Sequence, residues 1–157
     1  MSRLKFVVYH WEKDVDPSVD PSPEASVKLQ NPFGEGKGFY LHWASFIPEL
    51  GESTVGSSVE ANLLFNETNL KTAVPSAGKP YDSPQLGERL IHRYIAENLA
   101  SSNHDAAVTN MFIPPEPIKF DDNDYLGIWF NMVNKGSGSA RLGIYVVLAI
   151  SETKRID

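Results

Sequence analysis

The sequence predicts an all-β fold: an antiparallel β-sandwich, jelly-roll-like, of about eight strands, with one short helix around residues 84–99. Three observations predict it. Eleven glycines and eleven prolines cut 157 residues into short segments, the rhythm of a sandwich rather than of a bundle or a βαβ series. Apolar residues recur with a period of two in most of those segments. The two segments nearest the C-terminus are apolar on both faces, so each has a core face and a second face that something must cover.

In chain order, "RLKFVVYHW" sets Leu4, Phe6 and Val8 against Lys5, Val7 and Tyr9. "EKDVDPSVDPSPE" follows, acidic and carrying Pro17, Pro21 and Pro23; proline lacks a ladder donor, so this stretch reads as a loop. "GFYLHWASFI" puts Phe39, Leu41 and Trp43 on one side and Tyr40, His42 and Ala44 on the other. "SVEANLLFN" alternates Val59, Ala61, Leu63 and Phe65 with Glu60, Asn62 and Asn66, broken at Leu64, as a half-solvated strand would. "VPSAGKPYDSP" is a loop by its prolines and glycine.

In "SPQLGERLIHRYIAENLASS", Leu86, Leu90, Ile91, Tyr94, Ile95 and Leu99 recur at helical spacing. Ser83 can cap that helix with Pro84 at its first position, and Arg93 to Glu97 is an i,i+4 ion pair. The competing strand over residues 89–96 alternates Leu90, His92, Tyr94 and Ala96 with Arg89, Ile91, Arg93 and Ile95. "IPPEPIKFDDND" reads as another proline-rich loop. "YLGIWFNMVN" points Leu126, Ile128, Phe130 and Met132 one way and Tyr125, Gly127, Trp129, Asn131 and Val133 the other. "RLGIYVVLAIS" does the same with Leu142, Ile144, Val146, Leu148 and Ile150 against Gly143, Tyr145, Val147 and Ala149. The Gly/Ser run at 134–140 between them predicts a hairpin at the centre of one sheet.

With 41% apolar residues, the chain can bury roughly two-thirds of its unfolded surface, so one sandwich domain over residues 1–157 is expected. Cysteine is absent, which excludes a disulfide framework, a thiolate metal site and a cysteine nucleophile. Fourteen basic against twenty acidic residues, with the basic ones scattered, argue against nucleic acid as a partner. No apolar run is long enough for membrane insertion, and Tyr9, His10 and Trp11 stand where a signal peptide would need small residues.

No motif calls for a cofactor or a catalytic role. Asp14, Asp16 and Asp20 could offer carboxylates to calcium, but Pro17 interrupts them and a hydrated acidic loop is preferred. "DDND" at 121–124 reads as a turn, "GEGKG" at 34–38 lacks the phosphate-loop spacing, and "GSGSA" lacks that of a nucleophile elbow. His10, His42, His92 and His104 are too far apart in sequence to argue for a shared metal. "NET" at Asn66 fits a glycosylation acceptor but arrives without a secretion signal.

The second faces of the last two strands carry the functional expectation. Tyr125, Trp129, Val133, Tyr145 and Val147 would form an exposed patch on the order of several hundred Å², more than a soluble monomer commonly tolerates, so a subunit contact is expected there. The helix packing over the sheet is the intramolecular alternative. The strand rhythm, proline-rich loops and apolar final strands resemble single jelly-roll structural proteins of virions. That resemblance implies a non-enzymatic homo-oligomer, a trimer by analogy, acting in a virion as a decoration, spike or coat component against a capsid shell. RNA-packaging coat proteins commonly carry a long basic N-terminal arm, whereas a strand is expected here by Arg3, which disfavours a genome-binding shell role relative to a decoration, spike or fibre role. The alternative is a carbohydrate-binding module stacking a glycan on Trp11, Trp43 or Trp129.

Overall fold

The computed structural model describes residues 3–50, 56–67, 88–97 and 110–156. Nine strands run through them: β1 (Lys5–Val15), β2 (Glu24–Leu29), β3 (Phe39–Glu49), β4 (Ser58–Glu67), β5 (Glu88–Glu97), β6 (Asn110–Phe112), β7 (Ile118–Phe120), β8 (Asp124–Val133) and β9 (Ala140–Ser151). One sheet has the order β1-β9-β3-β6, with β7 also on β3, and the other β2-β8-β4-β5. Every pairing is antiparallel.

The pairings nest. β1 takes β9, β2 takes β8, β3 takes β6 and β7, and β4 takes β5, as in one long hairpin. Rolling that hairpin on itself adds β3 beside β9 and β4 beside β8, which closes a jelly roll. The inner faces meet as period two requires. Leu142, Ile144, Val146, Leu148 and Ile150 of β9 and Leu126, Ile128, Phe130 and Met132 of β8 are buried in one cluster with Phe39, Leu41, Phe46 and Phe120.

The helix expected around residues 84–99 is corrected: residues 88–97 are strand β5. Its alternation wins because His92, Tyr94 and Ala96 can face the core, where Tyr94 stacks on Phe46 at 4.9 Å, while its backbone completes the ladder of β4. The helical look has a local cause. The register jumps so that Leu63 faces His92 and Leu64 faces Leu90, leaving Ile91 as an extra residue, and that bulge breaks strict alternation. Ser83, Pro84, Leu86 and Leu99 lie outside the described residues, as does His104.

The hairpin expected at 134–140 is also corrected. β8 and β9 sit in different sheets, so this connection crosses the edge of the sandwich. Both strands need their aliphatic faces in the same core, and facing each other across it satisfies both. Asn134 anchors the crossing. Its Nδ2 donates to the carbonyls of Val15 and Gly138, both at 2.8 Å, and its Oδ1 accepts from Gly136 N at 2.9 Å and from Ser57 Oγ at 3.3 Å. Two further loop expectations hold structure: β1 continues to Val15, and β7 lies within the proline-rich 113–124 stretch.

Candidate functional site: the outer face of the first sheet

The outer face of the first sheet is set by register. Phe6 and Trp43 flank Ala149; Val8 and Ser45 flank Val147, with Met111 beyond Ser45; His10 and Ile47 flank Tyr145. These rows make an apolar surface in which Phe6 is 56% exposed, Val8 57%, Met111 50% and Ile47 40%. Trp43, Tyr145 and Val147 are half-buried among them, and the Phe6 and Trp43 rings stand 5.7 Å apart. One isolated apolar side chain on a surface is ordinary; four large ones on adjoining strands are a patch.

The next row along the same face turns polar. Glu12 and Glu49 flank Gly143, and Asp14 lies opposite Arg141. His10 Nε2 is 2.8 Å from Glu49 Oε1 and 3.4 Å from Glu12 Oε2, and the His10 ring stacks on Tyr145 at 3.9 Å, within 5° of parallel. Arg141 bonds Glu12 Oε1 and lies 3.2 Å from Asp14 Oδ2; these carboxylates raise its already high pKa.

The five residues expected at a subunit contact therefore divide. Tyr145 and Val147 belong to this face, whereas Tyr125, Trp129 and Val133 lie on the outer face of the other sheet. There Tyr125 and Trp129 are 1% and 3% exposed and cluster with Leu64. Two residues of β2 reach over them: Trp129 Nε1 donates to Glu24 Oε2 at 3.0 Å, and the Lys28 ammonium stands 4.6 Å from the Tyr125 ring centroid. Trp11 points inward, 5.8 Å from Phe130, so of the three tryptophans only Trp43 touches the open face.

Asp14, Asp16 and Asp20 do not converge. Asp14 pairs with Arg141, Asp16 accepts from both Ser18 N and Ser18 Oγ, and Asp20 accepts from Ser22 N. The Ser18 bonds hold the exposed Asp16 carboxyl below its usual pKa. Asp16 and Asp20 are turn-forming side chains closing their own loop, whereas Asp14 belongs to β1. His42 Nε2 meets Ser151 Oγ at 2.6 Å, and because the hydroxyl donates to the carbonyl of Thr153, the imidazole is the donor of this bond. The group that sequence reading missed is His10 with Glu12 and Glu49, whose ligand atoms lie within 4.8 Å of one another. His10 and Glu12 are two apart on one strand and so share a face, a signal present in the sequence; Glu49 joins them only through β9.

No protein-family model and no curated protein matches the sequence. Among solved structures, the chain is similar to the 60-mer BFDV capsid protein, at 8% identity and a TM-score of 0.40, covering 99% of this chain and 96% of that one. It is similar to the VP2 subviral particle of infectious bursal disease virus at 8% identity and a TM-score of 0.30, covering 96% of this chain and 38% of that chain. The Gt strain of the same virus gives 13% identity and a TM-score of 0.27, with 99% and 38% covered. This chain thus spans well under half the length of the latter two. The resemblance to viral capsid proteins is one of architecture. Among the described residues, no helix is long and apolar enough to cross a membrane.

Proposed function

We propose that this chain is a non-enzymatic structural protein, a virion component built of one sandwich per chain, that assembles with copies of itself through the outer face of the β1-β9-β3-β6 sheet. The observation that carries the proposal is the half-exposed apolar patch of Phe6, Val8, Ile47 and Met111 around Tyr145 and Val147. Burying such a patch stabilises at roughly 25 cal/mol per Å² removed from water, which favours covering it. A second copy suits it, because an isologous contact sets the apolar half of one face on the apolar half of the other. The polar end offers both signs of charge, Arg141 beside Glu12 and Asp14, as an interface rim does. A trimer, and its docking on a capsid shell as a decoration or spike unit, extend the same proposal from architecture alone.

Solution mass by light scattering across a dilution series tests it, with Val8→Glu as the variant. Val8 is exposed, so a charge there leaves the core intact. The expected result is an oligomer for the native chain and folded monomers for the variant. Monomers at every concentration of the native chain would sink the proposal.

A further inference from the structure

We propose that His10, Glu12 and Glu49 form a binding site for a divalent transition-metal ion of the zinc class, seated over Gly143. The site goes beyond the assembly proposal and does not depend on it. Its geometry comes from register: β1 supplies His10 and Glu12 from one face, β3 supplies Glu49, and β9 between them presents glycine. A Cβ on Gly143 would stand 3.0 Å from Glu49 Oε1 and 3.4 Å from Glu12 Cγ, so the missing side chain is what lets carboxylates from two flanking strands close over the central one.

The donor atoms are already close to ligand spacing. Bonds of about 2.0–2.2 Å to a tetrahedral zinc place its ligand atoms roughly 3.3 Å apart. His10 Nε2 is 2.8 Å from Glu49 Oε1 and 3.4 Å from Glu12 Oε2, and all three ligand atoms lie within 4.8 Å of one another, close to that spacing. Two neighbours orient them. Stacking on Tyr145 fixes the plane of the imidazole, and Arg141 occupies Glu12 Oε1, leaving Oε2 on the side of His10.

One imidazole nitrogen with two carboxylates suits zinc and its neighbours, whereas calcium and magnesium favour all-oxygen shells. Glu12, Glu49 and Asp14 against Arg141 leave the locality negative when His10 is neutral. A cation there takes the Nε2 lone pair, and the single proton of the neutral ring sits on Nδ1. Three protein ligands leave a fourth position for water, and all three side chains are partly exposed, so the ion reaches the site from solvent.

Isothermal titration of the full chain with zinc chloride at neutral pH tests the site, with cobalt(II) absorption as a second readout. The expected result is one ion per chain, with a cobalt spectrum of low-symmetry four-coordination. His10→Ala and Glu49→Gln, both at the surface, are expected to weaken binding by at least about 10–100-fold at an unchanged melting temperature. No saturable binding by the native chain, or binding by folded His10→Ala equal to the native value, would overturn the proposal. The oligomer mass recorded alongside reports on assembly separately.

Discussion

His92 and Tyr94 show how much a single position on β5 takes from its surroundings. Both face the core. His92 lies against Phe46 at 5.4 Å and Phe112 at 4.7 Å, and burial lowers its pKa from the usual 6.5. Unfolded chain therefore takes up that proton first as acid is added, and stability falls as pH drops below about 6.5. His42 shifts in the same direction from the same cause. Tyr94 titrates at the other end: burial pushes its phenol up to about 12. Between pH 10 and 12 the unfolded chain loses a proton that the folded chain keeps, so stability is full below about 10 and declines as pH rises through that window. The decline is on the order of 2 kcal/mol for this group, and Tyr9, also raised by burial, adds to it. Urea unfolding of Tyr94→Phe is expected to show a shallower decline between pH 10 and 12 than the native chain. An unchanged slope would mean that another group sets it.

At the scale of elements, alternation made β3, β4, β8, β9 and the first half of β1 legible, because period two is a local property that needs no partner to be seen; β4, expected half-solvated, is instead buried on both faces, Glu60 6% and Asn62 0% exposed. β2 was not, since Pro17, Pro21 and Pro23 dominate the stretch before it and only Ala25, Val27 and Leu29 carry its inner face. β5 was legible as an alternative and obscured by the bulge at Ile91. Which sheet a strand joins is not local at all, and there the hairpin reading of 134–140 failed. Asn134 carries that connection, and its role can be measured. Replacing it with alanine removes the hydrogen bonds to the Val15 carbonyl, which is buried, and to the Gly136 amide, which is part-buried; a buried loss of this kind costs about 1–3 kcal/mol. Asn134→Ala is thus expected to lower the unfolding free energy by about 2–4 kcal/mol in urea titration. A loss under half a kcal/mol would mean that the corner is held by the strands alone. The same limit hid the metal cluster: His10 and Glu12 are visible as a pair, but Glu49 and the space over Gly143 appear only once β1, β9 and β3 are in register.

For the whole molecule, the two sheets differ in what their outer faces do, although both looked alike as sequence. Tyr125 and Trp129 are already buried, Trp129 bonded to Glu24, whereas Phe6, Val8 and Met111 lie open on the opposite side. The difference has a source in the edge strands. β2 lays Glu24 and Lys28 across the aromatics of β8, while β1 lays Phe6 and Val8 beside Ala149 and Val147 and so enlarges the apolar surface. Charge placed on the two faces should therefore act on different quantities. Trp129→Glu removes a buried ring and sets a second carboxylate beside Glu24, which is expected to cost about 3–5 kcal/mol of stability while leaving the mass of the molecules that remain folded unchanged. Val8→Glu is expected to do the reverse, lowering the mass and sparing the fold. Urea titration and light scattering on the same two samples separate the cases. If Trp129→Glu dissociates the assembly into stable monomers, the contact lies on the β2-β8-β4-β5 sheet instead, and the apolar surface around Tyr145 needs another partner.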